Sequence, residues 1–559
     1  MVEWPAGDVS AHACPVCDAP GPHPVLLRAD DHVLLRCDGC TGCFYEDRTP
    51  PDYAADAPSE LYLQCYVEQN AGLHHMTRLL FQLDRDDAGS VLDFGCGVGF
   101  PVDVAAKVLG WRAVGVDPSH YAADGARLLG ADIRREYLTP ETVLGKPFDL
   151  LLGSEVIEHI PDPYSFLALL RSHMTPGAAL VLTTPDAASL SPTLNPGTLF
   201  AMLSVGGHLV LFTAASIELM LRRAGFAHVH TQTGGNNLVA WASDMPLSFR
   251  PDADAQHAQG YRTYLQRLLD TAEPGGHVWN GAAGRLFTLD AANRPLEEAL
   301  ALFARISDTW RTRFGLDLAR IRLPEPLHER EIAAGGTALL DRMRAGQPLN
   351  LGGVLYSRAL LERRMPGHRP DRVLDYARAA LIAAEQTGRV LRACNLIDYD
   401  LHHTSWRSRM MVVDCLAELA PELEGHLLAG LAAPSHGALA DRVDPPAGVV
   451  MARMAPWFSA KVHATEYDAA MLLEPWLRDL AALCDATRGD QMVRYHLLFT
   501  VGVLRLNHLR DLPGALAAFR CMMAEAVGEL PDPVLSPLAQ HFFPVARDHA
   551  AHVAAMMAG

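Results

Sequence analysis

The chain has 559 residues, a formal net charge of -18 and a hydrophobic share of 49%. That length exceeds what one hydrophobic core organises, so three or four domains are expected. The negative charge opposes non-specific association with nucleic acid or anionic lipid, and no apolar run of about 18 residues offers a membrane-spanning helix. The N-terminal run MVEWPAGDVSAHACPVC lacks the basic start and apolar centre of a secretory signal, so a cytoplasmic location is expected. Eleven cysteines in a chain of this length do not make a disulfide framework. In a reducing compartment, clustered cysteines point to metal.

Residues 1–50 carry that cluster. Cys14-x2-Cys17 and Cys37-x2-Cys40 are separated by nineteen residues. Each pair forms a tight knuckle, and a hairpin between them brings the knuckles together. Four thiolates make a closed tetrahedral Zn site with no position left for water, so the metal is expected to hold the fold. Cys43 is a substitute ligand by proximity, although the C-x2-C spacing favours Cys40. The arrangement resembles the zinc ribbons that precede some bacterial methyltransferase domains, including sugar-modifying ones.

Residues 58–86 read as a helix, with apolar residues spaced by three and four. From residue 90 the pattern alternates. Short apolar or β-branched runs at 90–94, 112–116, 148–153 and 178–184 are separated by helical segments near 99–109, 119–130 and 163–174. Such alternation predicts a mostly parallel sheet with helices on both faces. A further helix at 212–226 precedes two candidate strands, HVHTQT and NLVAWASD. Beyond residue 250 the strands fade. Segments 256–273 and 294–318 read as helices, with EPGG and NGAAG as loops between them, and from about 330 nearly everything is helical.

The run VLDFGCGVGF (91–100) breaks a strand into a glycine turn. A dinucleotide fingerprint requires a third glycine at position 100, where Phe stands, and the P-loop pattern is absent. The motif present is Asp93-x-Gly95-x-Gly97-x-Gly99. It resembles the first motif of class I S-adenosylmethionine-dependent methyltransferases. AVGVDPS (113–119), FDLLLGSEVIEHIPDP (148–163), LVLTTPD (180–186) and GHLVLFTAASIELMLRRAGF (207–226) match later segments of that family in order.

The resemblance implies a seven-stranded, Rossmann-like doubly wound domain and S-adenosylmethionine as methyl donor. The turn, with Asp93 and its three glycines, would lie against the methionine part of the cofactor. Asp117 would accept the ribose hydroxyls, Pro118 would lie beside adenine, and Ser154 and Glu155 would contact cofactor. His159, after Glu158, is the candidate base or acceptor ligand, and His208 is the second candidate. A neutral histidine suits removal of a hydroxyl proton. His74, His75, Tyr62 and Tyr66 sit on the helix expected to cover the cofactor. The adenine contact after the third strand is open, with Glu136 a substitute.

The expected organisation is therefore a multidomain α/β chain. A zinc ribbon occupies 1–50, a helical cap over the cofactor site 51–89, the methyltransferase domain 90–250, a helical extension 251–328, and an all-α domain 329–559. Within the last, 497–527 resembles the helix–turn–helix of a tetratricopeptide repeat, with Gly502, Ala515 and Phe519 one residue out of register. That domain reads either as degenerate helical repeats or as a packed bundle. The function expected is methyl transfer, in the first place O-methylation, to a small-molecule or sugar acceptor. C- or N-methylation, or a protein methyltransferase or interaction protein that docks its partner on the helical domain, are the alternatives.

Overall fold

The computed structural model describes residues 2–55 (save 6), 64, 66–69, 73–84, 89–324 (save 193 and 195), 327, 329–334 and 337–394. Beyond these it describes 404, 407, 408, 411, 415, 498, 499, 502, 503, 505, 506, 511–527 and 536–558. Tyr62 and, apart from isolated positions, the helical run expected between 395 and 510 lie outside the described residues. Contacts divide the chain into two units, one comprising residues 1–192 and 197–282, the other the remainder.

The first unit contains two sheets. Strands β1 (Val2–Glu3), β2 (Val9–Ser10), β3 (His23–Ala29), β4 (His32–Arg36) and β5 (Cys43–Tyr45) form a small antiparallel sheet. Strands β6 (Ser90–Phe94), β7 (Arg112–Val116), β8 (Ile133–Arg134), β9 (Phe148–Ser154) and β10 (Met174–Pro185) run parallel. Beyond them, β11 (Val210–Leu211) lies outside this sheet, while β12 (His228–Gly234) and β13 (Asn237–Ser243) complete it. The seven-stranded order is β12-β13-β10-β9-β6-β7-β8, with β13 antiparallel to both neighbours. Helices 100–107, 120–129, 163–172 and 214–223 follow β6, β7, β9 and β11. Their starts are set locally. Asp162 accepts from the Ser165 amide, and Thr213 and Ser216 form a reciprocal capping box.

The small cysteine-bearing sheet is tied to the segment that follows β10. β11 adds to the small sheet, pairing Val210 with Phe44 and Leu211 with Cys43. Buried side chains of the cysteine module (Val16, Val25, Leu35, Phe44) share one apolar cluster with Leu92, Phe94, Leu151 and Ile217. Thr41 and Thr213 hydroxyls lie 2.8 Å apart, Tyr45 donates to the Leu203 carbonyl at 3.2 Å, and Tyr164 donates to Val16 O. A two-residue strand such as β11 carries no readable period, so this junction is absent from the sequence pattern.

Helices 253–271, 277–293 and 296–314 follow the sheet. The NGAAG run, expected as a loop, lies inside the second of these. Its Gly284 is there for space, since a Cβ would stand 2.2 Å from Asn350 Nδ2. In the second unit, helices 351–364 and 370–393 pair, and Arg358 lies over the rings of Phe303 and Tyr376 while bonding Glu362 at 2.7 Å. Near the C-terminus, helices 512–527 and 536–558 pack around buried Ala515, Phe519, Ala546 and Val553. Gly502 sits where a Cβ would reach 2.6 Å from the Phe519 ring. Among the described residues no helix is long and apolar enough to cross a membrane.

Two buried histidines give the first unit an acid-sensitive contribution to stability. Burial, then the neighbouring His159, lowers His208 from 6.5 to about 4. Burial, then His74, does the same to His257. Both are neutral in the fold and protonate more readily when unfolded. Their contribution to stability is therefore complete above about pH 6.5 and is lost as pH drops toward 4, while the raised carboxyls of Asp93 and Glu158 act in the opposite sense. Urea midpoints of wild type and His208→Gln at pH 7 and pH 5 isolate this contribution, and the wild type should lose more, or gain less, than the variant on going to pH 5. An equal change in the two proteins would contradict a buried neutral His208.

Candidate active site

In open sheets of this kind, ligands bind at the carboxyl ends of the strands where the strand order reverses. Here that point lies between β6 and β9. Gly95, Gly97 and Gly99 all take positive φ, at 68°, 54° and 79°. The turn is closed on one side and open on the other. A Cβ at Gly95 would stand 2.3 Å from Val156 Cγ2, whereas one at Gly97 would meet nothing within 4 Å. Only glycine lets the strand end pass Val156 while Gly97 presents bare backbone to the cleft.

Asp93, next to last in β6, is 2% exposed, and its Oδ2 has no hydrogen-bond partner among the described residues. Burial, then the charge of Asp117, raises its carboxyl well above the usual range. Asp117 follows β7. Its Oδ2 accepts the Gly97 amide at 2.9 Å, and its Oδ1 accepts the Ser119 amide at 2.8 Å and hydroxyl at 2.5 Å. Oδ2 thus retains one acceptor position. A second ligand hydroxyl would have to displace the Ser119 hydroxyl from Oδ1. Pro118 is half-buried, and its carbonyl accepts from Arg135 Nε at 3.4 Å.

At the end of β9, Ser154 and Thr183 hydroxyls lie 2.8 Å apart, and Thr183 donates to Glu155 Oε1 at 3.0 Å. Glu155 opens to the cleft with a left-handed backbone, φ 57°. That conformation is uncommon for a residue with a side chain and marks a constrained position. Glu158, three residues on, is fully buried, and neither carboxylate oxygen has a hydrogen-bond partner among the described residues. Burial, then the charge of Glu155, pushes it well above the usual carboxyl range.

His159 and His208 come together, their rings 4.7 Å apart and near perpendicular. His159 Nδ1 lies 3.0 Å from the Gly207 carbonyl and 2.7 Å from the Tyr53 hydroxyl. A carbonyl only accepts, so the network assigns the proton of neutral His159 to Nδ1, leaving the Nε2 lone pair free. Burial lowers its pKa below the ordinary value, while the Gly207 bond opposes this. His208 is 6% exposed. Its Nδ1 lies 2.7 Å from the Met202 carbonyl and its Nε2 3.9 Å from Glu158 Oε1. His208 therefore lies behind His159 in the wall of the site. Glu158, His159 and His208 can each bring one ligand atom within 4.8 Å of the others, close enough to take a cation as well.

Tyr53 is the contact that the sequence pattern does not announce. It stands outside any helix or strand, 106 positions from His159. Tyr66 instead stacks on Phe100 at 6.2 Å, and His74 packs against His257 and Tyr261.

The second cluster joins Cys14, Cys17, Cys37 and Cys40, whose sulfurs lie within 4.8 Å of one another. Cys14 and Cys40 sulfurs are 3.6 Å apart and those of Cys17 and Cys37 3.4 Å. These are too long for disulfides. They approach the edge of a tetrahedron with metal–sulfur bonds of about 2.3 Å, whose edge is about 3.8 Å. Cys43 lies apart on β5, paired with β11.

A family model described as a methyltransferase domain matches residues 68–231. The chain is 29% identical over 180 residues to a ubiquinone biosynthesis O-methyltransferase of Cereibacter sphaeroides, covering 28% of this chain and 69% of that protein. A protein of the same description from Dinoroseobacter shibae is 33% identical over 127 residues, covering 22% of this chain and 48% of its own length. The chain thus spans roughly half to two thirds of the curated relatives it matches. A solved S-adenosylmethionine-dependent methyltransferase from Archaeoglobus fulgidus is 15% identical, with a TM-score of 0.28, over 33% of this chain and all of that one. The domain at 68–231 is that of an S-adenosylmethionine-dependent methyltransferase.

Proposed function

We propose that the chain transfers the methyl group of S-adenosylmethionine to a hydroxyl of a small molecule, with His159 as the base. The observation that carries this is the His159 ring at the carboxyl end of β9, its Nδ1 held by Gly207 and Tyr53 and its Nε2 without a hydrogen-bond partner among the described residues. That the curated relatives are O-methyltransferases supports an oxygen acceptor.

The cofactor supplies an activated methyl on a sulfonium. With the donor bound, the acceptor oxygen would take the methyl carbon while the carbon–sulfur electron pair would remain on sulfur. The acceptor proton passes to His159 Nε2, and the Gly207 carbonyl stabilises the imidazolium through Nδ1–H. Ser154, Glu155, Asp93 and the open face at Gly97 would bind the donor, with Asp117 on the ribose and Pro118 beside adenine. Alignment of oxygen, carbon and sulfur accounts for much of the rate, since the donor needs no further activation. We assign structural zinc to Cys14, Cys17, Cys37 and Cys40, on the near-tetrahedral sulfur spacing.

Asp117→Ala should weaken S-adenosylhomocysteine by about 1.5–3 kcal/mol, roughly 10- to 150-fold, through lost charge-assisted hydrogen bonds. Unchanged calorimetric affinity would remove Asp117 from the site. The acceptor class is tested by incubating the intact chain with methyl-labelled cofactor and panels of catechols, simple phenols, amines and free sugars. Label on a phenolic oxygen supports the reading. Label on sugar hydroxyls moves the acceptor to sugars, and label only on nitrogen contradicts a base-assisted O-transfer.

A further inference from the structure

The turn at 52–55 spans the two sides of the cleft. On the donor side, Tyr137 donates to Asp52 Oδ1 at 2.9 Å and Arg135 Nη2 donates to the Ala54 carbonyl at 3.1 Å. Arg135 also reaches the Pro118 carbonyl, at the position proposed for adenine. The turn is stapled internally by the Ala54 amide on Asp52 Oδ1 at 3.0 Å and the Ala55 amide on the Asp52 carbonyl at 3.1 Å. Between these pins, Tyr53 points to the acceptor side. Its hydroxyl stands 2.7 Å from His159 Nδ1 and 3.4 Å from the Gly207 carbonyl, and its ring meets the imidazole edge-on at 5.5 Å.

We propose that Tyr53 is a positioning residue of the methyl-transfer site, carried by a strap pinned to the donor side and holding His159 with Nε2 toward the acceptor. The inference rests on the reading of His159 as base. The contacts close consistently. His159 Nδ1–H is shared by the phenol oxygen and the Gly207 carbonyl, and the phenol proton points to that same carbonyl. Imidazole can otherwise present either nitrogen to the cleft by rotating about its bond to Cβ. Gly207 alone opposes that rotation with one hydrogen bond on a loop. Tyr53 adds a shorter contact from a separate segment, and its ring blocks the sweep of the imidazole. The titratable groups near His159 are Glu155 and Glu158 on its own loop, His208 on the segment after helix 196–203, and Tyr53 on the strap. Of these, Tyr53 is the one that hydrogen-bonds its ring.

The strap also gives the donor side a mechanical link to the base. Loosening the Tyr137 pin should free Tyr53 without touching His159.

The test uses the intact chain, a phenol or catechol acceptor from the panel above, and ¹⁵N signals of the His159 ring, assigned by comparison with His159→Gln. Wild type should read as the Nδ1–H tautomer. In Tyr53→Phe, kcat should fall on the order of 10- to 100-fold, the scale of a misoriented catalytic group. The KM for S-adenosylmethionine should stay within about two-fold, and the His159 signals should move toward a mixture of tautomers. Tyr137→Phe should produce the same change in weaker form, and the double variant should match Tyr53→Phe alone. Unchanged His159 signals in Tyr53→Phe overturn the proposal, whether or not activity falls. Altered signals with full activity would leave the contact standing and overturn His159 as the base.

Discussion

Replacing His159 with Ala is expected to slow methyl transfer about 10²- to 10⁴-fold, the span of a lost general base. Affinity for S-adenosylhomocysteine should change by no more than about two-fold. The separation follows from the layout. His159 bonds to Gly207 and Tyr53, and neither belongs to the glycine turn or to Asp117. With the imidazole gone, the Tyr53 hydroxyl still reaches the Gly207 carbonyl at 3.4 Å, so the loop keeps a partner and the fold is little affected. Rate and cofactor affinity measured on one preparation decide the matter. Equal loss of both would make His159 a structural residue. His208 should behave differently, because it is buried, bonds the Met202 carbonyl and stands beside the partnerless carboxyl of Glu158.

Replacing Cys37 with Ser is expected to take bound zinc from about one ion per chain to near zero, and to cost several kcal/mol of stability in the N-terminal sheet. The damage should not stop there. Cys37 and Cys40 bracket the turn leading into β5, and β5 holds β11. The Tyr45 amide donates to the Leu209 carbonyl at 3.0 Å, and the Leu209 amide donates to the Glu158 carbonyl at 2.7 Å. Between the cysteines and Glu158 the path is therefore a run of backbone hydrogen bonds, and Gly207 and His208 adjoin its last link. Acceptor KM should rise and kcat fall, with cofactor affinity the least altered. Cys43→Ser, outside the cluster, should keep its zinc. Full zinc occupancy in Cys37→Ser, by elemental analysis, would reject the four-cysteine assignment.

Much of this architecture was legible because its parts are local. Runs such as Ser90–Phe94 and Arg112–Val116 are short, apolar and β-branched, and glycines mark the turn that follows β6. The cysteine pairs announce themselves by spacing alone. The links between modules were not legible, because they join residues far apart through elements too short to have a period. β11 is two residues long, yet it adds the segment that carries His208 to the cysteine-bearing sheet. Tyr53 lies in an irregular turn, and its partner is chosen by the fold, not by its neighbours. Helix 277–293 was masked by glycines that look like loop residues, when Gly284 is there to admit Asn350. His159 and His208 were both visible as candidates. What pattern could not say is that one holds a free nitrogen while the other is sealed in the wall.

The central claim is that the cleft between β6 and β9 holds an S-adenosyl donor beside His159. The most direct measurement is a calorimetric titration of the intact chain with S-adenosylhomocysteine, followed by a structure of that complex. The account predicts saturable binding of one molecule per chain, with the ligand against the open face of Gly97, its ribose at Asp117 and its sulfur on the His159 side. Absence of binding, or a ligand seated away from the glycine turn, would contradict it.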